Sequence, residues 1–444
     1  MFPLLALVAC FQTQPSAAWA LDEIRLANGA TLRGLILDDS AAGVRFQVIR
    51  QTPGKPTVTL TTFAFRADVA ATKKLSEAER DVLREKVAAL DPRGTGERGR
   101  MEALDLKPAE WLGRPGGAKR YDSDQFAIVS PAAEEVTRRA AVRLEQIFTA
   151  YARFLPPRFP VAKPTTVLLA QDQSEFAALL GPAHANLLNP AVFEPRANRI
   201  VLRTDLRRLG TELTAARLHN MQQFAALEKY EGDLKKLYRQ RSELERHLEP
   251  LAKDRKRLNM AEVANDAAFD KATLRPFAVL YHEAFHAYAG NFVYPPAAPT
   301  GELPRWLNEG LAQLFETAIL EAGELRVGHA DPDRLMRAQA LAKNGGLLAP
   351  GELLALGQDA FLVAHAGQRT NTDRAYLTAW AVAFHLTFEK RLPGTPAFDA
   401  FVAAGKGPDA ASAFAKLVGR ELPDYAQELA EYLARLNADG TLRK

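Results

Sequence analysis

Between residues 21 and about 70 the apolar side chains fall in short, largely alternating runs, through Ile24, Leu26, Leu32, Leu35, Val44, Phe46 and Val48. A period of two puts one side of each run on a core, so this stretch predicts β-strands. Asn28-Gly29 supplies a two-residue hairpin turn, because both residue types accept positive φ. Residues 21–72 are thus expected to form a small β module. A helix follows from Ser76 to Leu90, with Ser76 and Glu79 in capping-box spacing, and Asp91-Pro92-Arg93-Gly94-Thr95-Gly96 breaks the chain as a linker. From about 120 to 205 strand and helix patterns alternate. Phe126–Val129 reads as a strand, Ser130-Pro131 as the cap of a helix reaching Phe154, and Thr165–Leu169 as a second strand. Ser174–Leu180 reads as a short helix and Arg199–Arg203 as a third strand. This is an α/β lobe over 104–208, after a helix and linker over 73–103.

The pattern changes at Leu209. Apolar residues then recur at spacings of three or four, through Leu213, Leu218, Met221, Phe224, Leu227, Tyr230, Leu234, Leu237 and Leu244, among mixed charges. One uninterrupted helix to about His247 would span on the order of 55 Å. Pro250 is expected to break or turn it, with Leu251–Met260 returning as a hairpin partner. Two readings stay open: an amphipathic helix packed on its own domain, or a protruding coiled coil used for self-association or docking. The insertion covers 209–262, and 263–444 reads as helix and connecting loop. The fold class expected is α+β. The β module resembles the small β-barrels at the front of some exported bacterial proteins.

Composition narrows the classes. The 57 basic and 53 acidic side chains leave a net charge of +4, too small an excess to imply nucleic acid, and no basic stripe with interleaved aromatics accompanies it. Phe2–Phe11 is a short apolar stretch and Ala18-Trp19-Ala20 a small-x-small cleavage signal, so residues 1–20 are expected to direct export to the periplasm or exterior. Leu7-Val8-Ala9-Cys10 resembles a lipoprotein box, but its apolar segment is short for that use and the reading ranks second. Cys10 is the only cysteine, which leaves the mature chain without thiolate ligands, nucleophiles or disulfides. No later run of about eighteen apolar residues suggests a transmembrane span.

The chemistry concentrates in Val279-Leu280-Tyr281-His282-Glu283-Ala284-Phe285-His286-Ala287-Tyr288. Residues four apart share a helix face, so His282 and His286 can offer imidazole nitrogens to one ion. Glu283, rotated by about 100°, can reach a water on that ion without ligating it. Downstream comes Trp306-Leu307-Asn308-Glu309-Gly310, with Glu316 seven residues after Glu309. His282 to His286 followed by Asn308-Glu309-Gly310 resembles the gluzincin (peptidase MA-like) zinc metallopeptidases, in an exported bacterial branch of poorly characterised members.

The resemblance implies Zn²⁺ as cofactor, Glu309 as the third metal ligand, Glu316 as a supporting group behind the ligands, and Glu283 as general base. A tyrosine beyond the glutamate ligand stabilises the oxyanion in such enzymes. Tyr376 is the candidate here, with His385 and His365 as weaker alternatives. His184, His219, His247 and His329 lack partners at ligand spacing. The aminopeptidase branch carries a Gly-x-Met-Glu-Asn motif that this chain lacks, and the span from His286 to Glu309 is a few residues longer here. The expected activity is therefore zinc-dependent hydrolysis of internal peptide bonds, with a peptide or protein substrate. A zinc-binding scaffold without turnover and a zinc amidase acting on cell-wall peptides are the alternatives. Arg199–Arg203 could be a sheet edge for an extended peptide, although its Ile200, Val201 and Leu202 suit a plain buried strand slightly better.

Overall fold

The computed structural model describes residues 19–50, 58–89, 97–160, 163–181, 190–316, 319–321, 324–326, 331–361, 369–405, 407, 409–437 and 442–443. Nearly all of the expected signal segment lies outside them, as do the 91–96 linker, His184, His329 and His365.

The N-terminal strands are β1 (Asp22–Leu26), β2 (Thr31–Asp39), β3 (Gly43–Arg50), β4 (Val58–Phe65) and β5 (Val69–Lys73). They form an antiparallel sheet in the order β4-β3-β2-β1-β5. Gly29 turns β1 into β2 at φ 86°, with the Ala30 N–H donating to Asn28 Oδ1 at 3.0 Å. The barrel likeness is not borne out: β4 and β5 do not pair among the described residues, and the sheet stays open. Closure is one way to bury a sheet's two faces and edges, and here other elements cover the faces. Helix α1 (Glu77–Ala89) lays Leu83 on Leu35 and Ile49. The opposite side chains, Ile24, Leu32, Val44 and Phe46, join the central core of the molecule. Asp22, fully buried, accepts from the N–H groups of Ile36 and Leu75, both at 2.8 Å, and stitches β1 to β2 and to the lead-in of α1. Ser76 and Glu79 make the expected capping box.

After α2 (Glu97–Glu102) come β6 (Lys107–Trp111), β7 (Arg114–Asp122) and β8 (Phe126–Ser130), followed by α3 (Glu134–Phe154), β9 (Thr165–Ala170), α4 (Gln173–Leu180), β10 (Ala191–Glu194) and β11 (Arg199–Arg203). The six strands order as β10-β11-β9-β8-β7-β6, parallel only at β8–β9 and β9–β11. Ser130 does not cap α3; its hydroxyl accepts from the Ala132 N–H at 3.1 Å, and the helix starts at Glu134 with Ala133 as N-cap. Strand β11 lies inside the sheet, with Ile200, Val201 and Leu202 fully buried, so the plain-strand reading of 199–203 is the right one. The edge is β10.

The long helical segment is a hairpin of α5 (Arg207–Leu237) and α6 (Arg241–Tyr288). The chain turns at Tyr238-Arg239-Gln240, not at Pro250. Tyr238 is extended, and its ring stacks on His247 at 4.3 Å. Pro250 and Pro276 both lie inside α6. Pro250 is exposed, so water can solvate the carbonyl its missing N–H leaves free. At 48 residues α6 is about 72 Å long. Arg217 of α5 joins it through Glu262 (3.0 Å) and Asp266 (2.7 Å), and Arg255 of α6 reaches back to Glu231 at 2.8 Å. Leu213, Leu234, Leu251 and Leu258 are buried along the hairpin, while Leu218, Met221, Tyr230 and Leu237 are exposed.

A single π-type turn, Ala289–Val293, ends α6. The remaining chain holds α7 (Arg305–Glu316), a hairpin of β12 (Ile319–Glu321) and β13 (Glu324–Arg326), α8 (Pro332–Lys343), α9 (Pro350–Leu354), α10 (Arg369–Phe384), α11 (Pro396–Ala404), α12 (Ala410–Val418) and α13 (Leu422–Arg435). The fold is mixed α+β. Among the described residues no helix is long and apolar enough to cross a membrane.

Candidate metal centre

His282 and His286 stand one turn apart near the C-terminal end of α6, their ring centroids 4.7 Å apart. Glu309 faces them from α7. Its Oε2 lies 3.1 Å from His282 Nε2 and its Oε1 lies 3.5 Å from His286 Nε2. One donor atom from each residue falls within 4.8 Å of the others, so the group could hold a metal ion. The other ring nitrogens are already committed. His282 Nδ1 meets Glu316 Oε1 at 2.6 Å and His286 Nδ1 meets Asn308 Oδ1 at 3.0 Å. Donation from Nδ1–H on each ring is the arrangement that frees Nε2 to act as a ligand once it carries no proton. Arg334 pairs with Glu316 in turn and also holds the Gln313 carbonyl.

Two buried tyrosines and a glycine set this geometry. The Tyr151 hydroxyl of α3 donates to the Tyr281 carbonyl, one residue before His282, and the Tyr288 hydroxyl donates to Leu155 O at 2.6 Å. The rings of Tyr151, Phe285 and Phe315 pack edge-on or stacked behind the His pair. On α7, a Cβ at Gly310 would sit 2.4 Å from the Ala379 carbonyl oxygen of α10. Only glycine allows this crossing, and the crossing brings Glu309 up to the histidines.

The electrostatics separate the groups. Burial pushes the Glu283 carboxyl up to about 7. Burial would also raise Glu309, but His286, His282 and Arg305 outweigh it and bring this carboxyl down to about 2. Burial brings His286 down to about 4, so it is neutral at pH 7. His282 runs the other way: burial disfavours its charge, but Glu309 and Glu316 override that and hold it well above the usual range. The proton on His282 and the Arg305 guanidinium, 2.6 Å from Glu309 Oε1, put positive charge at this carboxylate.

Glu283 is buried close enough to His282, Glu309 and Arg305 to feel their charges. Its Oε2 accepts the Phe193 N–H of edge strand β10 at 2.8 Å. Strand β10 escapes sequence reading, because four residues of mixed polarity carry no usable period. Tyr376 lies on α10 and is half-buried; the charges of Glu309, Arg305 and Glu283 all reach it, and burial raises its hydroxyl. That hydroxyl donates to Phe361 O at 2.7 Å. His385 is not part of this cluster: it is buried beside Tyr425, Tyr432 and Glu428 of α13. His219 and His247 lie on the hairpin, away from the cluster.

A domain of the family described as protein of unknown function (DUF1570) is found over residues 276–395. That span carries His282, Glu283, His286, Glu309, Glu316 and Tyr376. No curated protein and no solved structure matches the chain.

Proposed function

We propose that this chain is an exported zinc metallopeptidase of the gluzincin kind, hydrolysing internal peptide bonds. The observation that carries this reading is Glu283. A structural metal site has no use for a buried carboxylate that stands beside its ligands without joining them and is hydrogen-bonded to a sheet edge. Two imidazoles and one carboxylate form a donor set that suits Zn²⁺ and leaves a fourth position open. Bound there, the ion supplies Lewis acidity and a water acidified toward a pKa of about 7.

The chain's own groups supply the remaining steps. Glu283 accepts the proton of the attacking water at its carboxylate and returns it to the leaving amine. Its hydrogen bond from the Phe193 N–H fixes one oxygen and leaves the other for this transfer. The outer side of β10 suits an extended peptide added as one more strand, passing over Glu283. Such pairing runs in both directions along the peptide and needs no free terminus, which favours internal cleavage. Tyr376 is the oxyanion donor in this reading, releasing Phe361 O when substrate arrives.

The test is Glu283→Gln, which keeps shape and hydrogen bonding but cannot take a proton. The purified variant should bind one zinc per chain and cleave nothing in a mixed library of amino-terminally blocked peptides that the parent digests. Parent and variant equally inert across the library would favour a metal-binding scaffold. Cleavage restricted to unblocked peptides, one residue at a time, would overturn the endopeptidase assignment. Export rests on Phe2–Phe11 and Ala18-Trp19-Ala20. Mass spectrometry of protein recovered from the cell envelope should find a chain starting at Leu21.

A further inference from the structure

A cavity of about 60 Å³, with polar and apolar side chains in its lining, lies at the seam of three parts of the molecule. The β1–β2 turn and Asp68 line it from the N-terminal sheet, Arg153 from the end of α3, and Thr387 and Arg391 from the segment after α10. Three buried donors on residues that line this seam lack hydrogen-bond acceptors among the described residues: Arg153 Nε, Arg391 Nε and Thr387 Oγ1. Thr387 is only 7% exposed. A buried hydroxyl or guanidinium N–H without an acceptor is costly, so three such groups on side chains around one space are not expected without an occupant.

Charge points the same way. Two guanidinium groups face one carboxylate, which leaves one positive charge over. Arg391 Nε comes within 3.3 Å of Asp68 Oδ1 but is not aimed at it, and its guanidinium also lies over the Phe65 ring at 4.6 Å. Arg153 donates through its terminal nitrogen to Phe63 O, which leaves Nε turned elsewhere. Arg391 holds a left-handed backbone (φ 56°), unfavourable for a side chain of this kind. Gly394, at φ 83°, brings the same segment against Asn28 and Phe154.

We propose that this cavity binds a small oxyanion of phosphate or sulfate size, held by Arg153, Arg391 and Thr387. The anion balances the surplus charge, takes up the three orphan donors, and clamps the N-terminal sheet to the helical lobe. Two guanidinium groups and a hydroxyl-bearing side chain around one space suit a tetrahedral ion better than a planar carboxylate, and the space admits one ion or a few waters.

The test uses the full chain in a chloride buffer free of oxyanions, titrated separately with inorganic phosphate, sulfate and acetate by calorimetry. Melting temperature is the second readout. Phosphate or sulfate should bind saturably at one per chain and raise the melting temperature, with acetate weaker. Thr387→Val, which removes one donor at constant shape, should weaken binding about tenfold, the loss of one charge-assisted hydrogen bond. Arg391→Asn keeps a residue that tolerates the left-handed backbone and should abolish binding. Should that variant not fold, Thr387→Val carries the test alone. No saturable binding by the parent would overturn the proposal, since the cavity would then hold water only. Binding unchanged in Thr387→Val, or a thermal shift equal in parent and Arg391→Asn, would overturn it as well, by marking a general salt effect. No readout depends on metal or turnover, so the result stands apart from the peptidase reading.

Discussion

Glu283 and Glu309 are the same side chain in two settings, and the contrast fits two roles. Glu309 is surrounded by cations and stays ionised, as a ligand must; Glu283 is buried with little compensating charge and sits near neutrality. Glu309→Ala should therefore cut bound zinc to well below one per chain while the circular dichroism spectrum is kept. Full occupancy by metal analysis would mean that another carboxylate holds the ion. Tyr376→Phe should lower turnover about 10²–10³-fold at unchanged zinc content, the usual cost of one lost oxyanion donor; near-normal turnover would leave its hydroxyl as a structural bond to Phe361. The grouping of His282, His286 and Glu309 was legible in the sequence, the pair through helical spacing and Glu309 through the resemblance of a short motif. The Phe193 N–H was not, because any residue has a main-chain N–H and only tertiary folding decides where it points. His385 gives a pH test away from the site. Burial brings its pKa down to about 4 from an unfolded value of about 6.5. The unfolded chain then takes up the proton first as pH falls, so the stability is present above about 6.5 and is lost toward 4. Between pH 7 and 5 denaturant unfolding should lose about 2 kcal/mol through this group, and His385→Phe should flatten that slope by the same amount.

At the level of elements, the sequence pattern found most strands and helices where periods were long or turn residues distinct. It misplaced the hairpin turn because Tyr238-Arg239-Gln240 contains no glycine or proline, whereas Pro250 looked like a breaker and is tolerated on an exposed helix face. The consequence is that the helix bearing His282 and His286 is the returning arm of the hairpin itself. Its root is built into the molecule. Gly210 packs on Ala133, and buried Arg139 and Arg143 of α3 tie Glu97 to Asp266 and Asp270 of α6. Its outer half buries Leu234, Leu251 and Leu258, which lie outside the central core cluster. Replacing Ala225–Arg257 with a short Gly/Ser turn should thus leave zinc stoichiometry unchanged and shift the melting temperature by only a few degrees. Arg217→Met, at the root, should cost about 3 kcal/mol, because Glu135, Glu262 and Asp266 lose their shared cation. Loss of metal in the shortened chain would show that the distal stripe belongs to the core.

Over the whole molecule, one apolar core runs from the N-terminal sheet through α3 to the metal helices. Ile24, Leu26, Leu32, Ile36, Val44, Phe46 and Val48 share it with Tyr151, Phe285 and Phe315. Sequence composition could not reveal this continuity, since a linker-like segment at 91–96 and a separate β pattern read as a module that stands alone. Helix α3 is the pivot. Its Glu145 is buried against Arg50 of β3 and the Tyr121 hydroxyl, while its Tyr151 fixes the Tyr281 carbonyl beside the metal ligands. Removing the sheet would forfeit the burial that its seven large apolar side chains share with the rest of the core, roughly 2 kcal/mol each, and leave Glu145 without its cation. That sum matches or exceeds the 5–15 kcal/mol by which a typical domain is folded. A chain beginning at Glu97 should accordingly show no cooperative thermal transition and no stoichiometric zinc, whereas the chain beginning at Leu21 should show both. Should the shortened chain melt cooperatively and hold one zinc, the sheet would be an accessory module, and the contacts of α3 with it would contribute little to the metal site.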